Sequence, residues 1–197
     1  DAWPTPPHPG FHMTAAEKLL TVYEELEALP EGVRGEVIAG VLHTAPRPAV
    51  RHQAVGTEAT TDLNASFGAR RGGPGGWIIL AEPELHLGRE TSALDVMIPD
   101  LAGWRRERLP RLPNTPAIDL APDWVCEILS PSTAARDRGP KAARYLHHGV
   151  AWLWFIDPDL KLVECFEARD GRWTLVGVWP GDQREARIPP FDAVAID

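Results

Sequence analysis

Cysteine is nearly absent from this chain: two among 197 residues, Cys126 and Cys165. Both lie in apolar, strand-like runs, which reads as reduced, buried thiols of a cytoplasmic protein rather than a disulfide or a metal site. No apolar run approaches the ~18 residues that a membrane-crossing helix needs, and the first residues show no signal-peptide pattern. Positive charge is in deficit, with 20 Lys and Arg against 28 Asp and Glu, a formal charge of −8. That excludes a broadly basic nucleic-acid binder but not a local basic patch, because steering depends on patches rather than totals. Three catalytic signatures are missing. There is no Gly-rich loop ending in Gly-Lys-Ser/Thr, no Gly-x-Ser-x-Gly elbow and no His-Glu-x-x-His helix. Repeats and low-complexity tracts are absent too. His147 and His148 are adjacent on a predicted helix and so point to different faces, a poor chelate. They read as favourable cations in a last helical turn.

What is present describes one α/β domain. Residues 1–12 carry four prolines and little that packs, so they read as a flexible leader, with the domain over 13–197. Thr14 with Glu17 three residues on has capping-box spacing, and Leu19, Leu20, Tyr23 and Leu26 continue a helix to about Leu29. Arg34 to Thr44 reads as a hairpin turning at Ala39-Gly40, with Glu36 on its first strand. His52 to Phe67 reads as a second helix, its buried side at Val55, Ala59 and Leu63. Arg70 to Gly76 is a glycine-rich loop, followed by strands at Trp77–Leu80 and Glu84–Leu87. Leu94 to Asp100 is an apolar strand ending in Pro-Asp, and Leu109 to Pro122, with its prolines, reads as a surface loop. Pro140 marks the first turn of a helix that Gly149 ends. Strands at Ala151–Ile156, Leu160–Glu167 and Arg172–Val178 complete the chain.

The chemistry is carried by acids on strands. Val125 to Leu129 is a buried strand with one carboxylate, Glu127, in its middle. An ionised carboxylate is costly to bury without a cation or a set of donors. Asp100 ends another strand, and two strands each delivering an acid suit a hard divalent cation. Alternation places Val125, Glu127 and Leu129 on one face, so Leu129 supplies no positive donor beside Glu127. Lys141 can, from the next helix. Its place near Pro140 puts it at the unfavourable end of the helix dipole, which points to a task; the alternative is an exposed lysine paired with Asp137 four residues before it. Asp100 is otherwise a turn-former after proline, and Glu127 a core carboxylate tied to an arginine or backbone donors. His52 and Gln53 open the second helix and read as a solvated helix end more readily than as ligand contacts. Arg105, Arg106, Arg108 and Arg111 either grip a phosphate backbone or are a solvated, charged loop.

The set Gly76-Trp77, Glu82-Pro83-Glu84-Leu85-His86-Leu87-Gly88, Ile98-Pro99-Asp100-Leu101-Ala102-Gly103-Trp104, Glu127-Ile128-Leu129-Ser130-Pro131-Ser132-Thr133, Asp137, Lys141, Tyr145, Gly149-Val150 and Trp154-Phe155-Ile156-Asp157-Pro158 resembles the Uma-two family. That family is described as restriction-endonuclease-like and placed in the PD-(D/E)XK phosphodiesterase superfamily. The resemblance runs from about Met13 to beyond Phe191. It implies a mixed central β-sheet flanked by helices, with Asp100 and Glu127 holding the metal and Glu36 matching an acid the superfamily carries on an early element. The superfamily's acid-x-Lys reads here Glu127-Ile128-Leu129, as in this family generally, and Lys141 is the natural migrated substitute.

The expected function is therefore a Mg²⁺- or Mn²⁺-dependent endonuclease acting on nucleic acid, DNA in the first instance. Asp100, Glu127, Lys141 and Glu36 are its catalytic set, and the metal is on Asp100 and Glu127. The alternatives are a nuclease-fold protein that binds nucleic acid or a protein partner without cutting, and a hydrolase of a small phosphoester. The 8 tryptophans, if exposed, together with open sheet edges, would suit a homodimer, as would cutting both strands of a duplex.

Overall fold

Ala39 and Gly40 both take positive φ, 52° and 77°, the geometry of a two-residue hairpin turn whose twist matches its strands. In a computed structural model that describes residues 14–45, 48–68, 75–88, 94–183 and 185–196, this turn joins β1 (Arg34–Ile38) to β2 (Val41–Ala45). Of residues 15–20 only the backbone is described. The expected leader, residues 1–12, and most of the glycine-rich loop lie outside the described residues.

The other elements are α1 (Ala15–Glu27), α2 (Val50–Ser66), β3 (Trp77–Ala81), β4 (Leu85–Leu87), β5 (Asp95–Met97), β6 (Leu101–Arg105) and β7 (Trp124–Ile128). Then come α3 (Ala134–Arg136), a π-helical turn (Asp137–Lys141), α4 (Ala142–His147), β8 (Trp152–Asp157), β9 (Leu162–Arg169) and β10 (Arg172–Pro180). They build two sheets. The larger has six strands in the order β10-β9-β8-β7-β6-β3, and the smaller four in the order β2-β1-β5-β4. Every pairing is antiparallel except β7 with β8. A parallel pair needs a crossover connection, which α3, the π turn and α4 supply. The mixed, helix-flanked sheet expected from the sequence is present, with a second, smaller sheet beside it.

Alternation along β7 sorts the interior into two layers. Val125 and Leu129 join Tyr145, Leu153, Phe155 and Met97 in one cluster. Trp124, Cys126 and Ile128 join Leu63, Trp77, Trp154 and Phe191 in the other. In the second layer Phe191 meets Trp77, Trp124 and Trp154 at ring-centroid distances of 4.8, 4.9 and 5.5 Å. Such aromatic pairs add about 0.5–1.5 kcal/mol each beyond their burial. No tryptophan among the described residues is exposed. Trp152, Trp173 and Trp179 are half-buried and the other described tryptophans buried.

Three local expectations need correction. Of the strand expected to run from Leu94 to Asp100 only β5, Asp95–Met97, is present; it lies in the small sheet, and after Ile98-Pro99-Asp100 the chain enters β6 of the large one. Pro99 has no N–H to continue a ladder, so the chain changes sheets there and Asp100 sits at the switch. Pro140 does not open its helix. It lies inside the π turn, with helix running from Ala134 to His147 around it. A proline in a helix removes one backbone bond and clashes with the carbonyl four residues earlier; widening that turn accommodates it. Finally, the loop from Leu109 to Pro122 is not wholly at the surface. Leu109, Ala117 and Ile118 are buried, and Ile118 exchanges backbone hydrogen bonds with Glu84 and His86.

Candidate active site

Glu127 lies in the centre of β7 and is 2% exposed. Tyr145, one turn after Lys141 on the same helix face, donates its hydroxyl to Glu127 Oε1 at 2.6 Å. Lys141 Nζ reaches Glu127 Oε1 at 3.0 Å and Oε2 at 3.2 Å. It also reaches Glu36 Oε1 at 2.8 Å and the Ile98 carbonyl at 3.0 Å. The Ile98 N–H in turn donates to Glu36 Oε1 at 2.8 Å. The structure thus joins three of the sequence-predicted residues, Glu36, Glu127 and Lys141, through one buried ammonium.

Asp100 is held separately but opens onto the same space. Its Oδ2 accepts the Ile128 N–H at 2.7 Å, one residue past Glu127. His52 Nε2, from the first turn of α2, lies 3.3 Å from that oxygen and 2.9 Å from the Ile128 carbonyl. His52 is therefore not the solvated helix end expected from the sequence. Glu36, Asp100, Glu127 and Lys141 all line one cavity of about 390 Å³, together with His52, Asp137 and Arg136.

Burial pushes the Glu127 carboxyl well above the usual range. Lys141 opposes this, while the charges of Asp137, Asp100 and Glu36 add to it. Asp137 is raised for the same first reason, burial, against Lys141 and a hydrogen bond from Thr133. Burial alone would discharge Lys141, but Glu127, Glu36 and Asp137 outweigh it and hold the ammonium charged. Tyr145 is kept a neutral phenol by burial and by Glu127. The hydrogen bond to Asp100 raises the His52 imidazole more than burial lowers it. Lys141 is accordingly not an exposed partner of Asp137: both are buried.

Glu36, Asp100, Glu127 and Asp137 share this cavity with Lys141 and with Arg136, which lies 3.5 Å from Glu36 and 3.7 Å from Asp137; carboxylate oxygens are the donor type a hard divalent cation takes. Among the described residues no three His, Cys, Asp or Glu ligands are already gathered as a metal cage. Mg²⁺ needs none, since it keeps several waters and binds through one or two carboxylates plus substrate phosphate. Asp100 and Glu127 have the right donor type.

Other expectations fall elsewhere. Arg105 stacks over the Trp77 ring at 4.1 Å, Arg108 pairs with Asp123 at 2.9 Å and Arg111 is exposed; none lines the acid cavity. His148 is not simply a last-turn cation, because its Nε2 meets Asp95 Oδ2 at 2.6 Å. The sequence names Tyr145 and Asp137 within the family resemblance without a role, and Asp137 otherwise only as the partner of an exposed lysine. Their signal was the spacing 137, 141, 145, which puts all three on one helical stripe.

The chain matches the family model Uma2, described as "Putative restriction endonuclease", over residues 4–195. A crystal structure of "a putative nuclease belonging to DUF820" from Anabaena variabilis ATCC 29413 superposes with a TM-score of 0.67 at 23% identity, covering 88% of this chain and 90% of that one. Curated proteins give no significant match. With acids delivered by its two sheets, a lysine reaching them from the helical crossover, and a family match over nearly its whole length, this chain belongs to the Uma2 family, with the restriction-endonuclease-like fold.

Proposed function

We propose that the chain is a Mg²⁺- or Mn²⁺-dependent endonuclease hydrolysing phosphodiester bonds, with DNA as substrate. The observation that carries this reading is the Lys141 ammonium, 2% exposed and 2.8–3.0 Å from Glu36 and Glu127, in a cavity that Asp100 also lines. Asp100 and Glu127 would hold the ion. When bound, it supplies a Lewis acid for the phosphodiester and a nucleophilic water at neutral pH.

The protein's own groups do the rest. Tyr145 and Lys141 fix the Glu127 carboxylate, and the Ile128 N–H with His52 fixes Asp100. Lys141 also ties Glu36 to the site. Its three N–H donors are all engaged, by Glu36, Glu127 and the Ile98 carbonyl. It therefore meets the charge developing on the phosphate only when a substrate oxygen displaces one of those acceptors. That requirement favours the second reading, a nuclease fold that binds nucleic acid without cutting. The buried free thiols suit the cytoplasm. No described helix is long and apolar enough to cross a membrane. A two-fold pair stays in this reading on the argument of duplex cutting alone.

Titration with Mn²⁺ by calorimetry separates the readings at the level of the site. One class of sites is expected, lost in both Asp100→Asn and Glu127→Gln. Equal uptake by the variants and the unmodified chain would remove these acids as ligands.

A further inference from the structure

Two more cavities continue the acid cavity along α2. One of about 480 Å³ shares His52 and Asp100 with it. The next, of about 760 Å³, shares Thr60 and Thr61 with the second and ends at Arg106 and Arg111. Together they form one groove between α2 and β3, the outer strand of the larger sheet.

The helix presents Gln53, Thr57, Thr60, Thr61 and Asn64 to this groove, positions that recur on one helical face. The two acids of α2, Glu58 and Asp62, line a separate cavity instead. The groove therefore contains two carboxylates, Asp100 of the site and Glu82, and Glu82 is neutralised by Arg34 at 2.7 Å. In a chain of charge −8, that is the segregation a polyanion requires.

The groove wall is not free for a pairing strand. Two carbonyls of β3 are already capped, Trp77 by Arg106 Nη2 at 3.2 Å and Ile79 by Asn64 Nδ2 at 3.3 Å. Arg106 Nε is buried with no hydrogen-bond partner. Arg111 is exposed.

We propose that this groove carries one strand of nucleic acid from the acid site, along the Gln53–Asn64 face of α2, to phosphate contacts with Arg106 and Arg111. The inference rests on the nuclease reading for the kind of molecule held, not for its cleavage. From Gln53 to Asn64 the helix advances about 16 Å at ~1.5 Å per residue. That is roughly five nucleotides at ~3.4 Å each along a strand, so a dinucleotide at the acids cannot reach the arginines.

The test is fluorescence anisotropy with a labelled DNA strand of about ten nucleotides and with a labelled dinucleotide, a length contrast set by that spacing. Ca²⁺ replaces Mg²⁺ to hold the substrate uncut. Arg111→Glu and Thr61→Glu change exposed groove positions, and Asp62→Asn changes the opposite side of the helix; thermal melts check that each variant folds. Each groove variant is expected to weaken the longer strand about tenfold, a charge effect of the size of one phosphate contact. The dinucleotide should be unaffected, and Asp62→Asn should not weaken either ligand. If the unmodified protein cuts DNA while both groove variants bind the long strand as it does, the groove is wrong and the nuclease reading stands. If nothing is cut but the variants lose long-strand binding, the groove stands and the catalytic reading falls. Failure of the unmodified protein to bind the long strand overturns the groove outright.

Discussion

Glu127 is a carboxylate that burial holds above its ordinary range, so ionising it costs folding free energy. The part of stability it governs is present below the unfolded glutamate value, about 4.3, and is lost as pH rises through the raised folded value. A cation on the ionised group reverses that loss. Mn²⁺ is therefore expected to raise the melting temperature more at pH 8 than at pH 5, and scanning calorimetry at the two values checks it. Tyr145→Phe removes the 2.6 Å donor and should shift the acid limb of the rate profile to higher pH, since donors to a carboxylate favour its charged form. A profile that does not move would show that Tyr145 serves packing alone. Removing the Lys141 charge with Lys141→Met, which keeps the bulk, should lower turnover by ~10²–10³, the scale for losing one transition-state donor, and leave Mn²⁺ uptake largely intact. Lys141→Arg should restore little, because a planar fork does not replace a compact ammonium. The acids and this lysine were legible as residues out of place, a Glu inside an apolar strand and a Lys where the dipole was thought adverse. No adverse helix start acts on Lys141, which lies in mid-helix. What marked it in the end was its stripe with Asp137 and Tyr145.

Elements hold this site through contacts that the sequence does not display. Asp95 of β5 is fully buried and accepts the Ala39 N–H, Arg144 Nε and His148 Nε2, each at 2.6 Å. It thus ties the hairpin turn to α4, the helix that carries Tyr145. Burial raises its carboxyl, but these three donors together outweigh burial and leave it below the ordinary range. The sign is the reverse of that for Glu127: the stability is present above the unfolded value, about 3.9, and is lost as pH falls through the lowered folded value. Asp95→Ala, which leaves the half-buried Arg144 guanidinium and the Ala39 N–H without their acceptor, should cost about 1–3 kcal/mol in urea unfolding at pH 7, and much less near pH 2. The same cost at both values would refute the ion pair as its source. Phe191→Ala, which empties the middle of the tryptophan cluster, should cost about 3–5 kcal/mol without that pH dependence. Neither residue stood out in the sequence, since each owes its role to partners dozens of residues away. β6 was missed for a related reason. At Gly103 a Cβ would meet Trp124 at 3.1 Å and Trp77 at 3.2 Å, so the glycine is what lets two indoles close over the strand, a contact between residues distant in the chain.

Across the whole molecule the α/β class is legible in the succession of apolar strand runs and helical spacings, and the mixed central sheet in the resemblance to the family. The split into two sheets was not, because β4 and β5 are three residues each and one Pro-Asp step redirects the chain between sheets. Charge is arranged the same way, unreadable as a total and clear as a distribution. The acids crowd into one cavity, and the face of α2 leading from it to Arg106 and Arg111 carries none. For association, sedimentation at micromolar concentration should give twice 21.7 kDa if a two-fold pair cuts the duplex. A species of the single-chain mass alone removes the pair and leaves the site as described.

The central claim is that Asp100, Glu127 and Lys141 form one metal-dependent phosphodiesterase site. Its most direct test is the cutting of supercoiled plasmid and of single-stranded DNA by the purified protein, with Mg²⁺, with Mn²⁺ and with chelator, beside Glu127→Gln and Lys141→Met. Cutting is expected with either ion, none with chelator or with Glu127→Gln, and a residual rate ~10²–10³ lower with Lys141→Met. Cutting that persists in chelator, or at the unmodified rate in both variants, would contradict it.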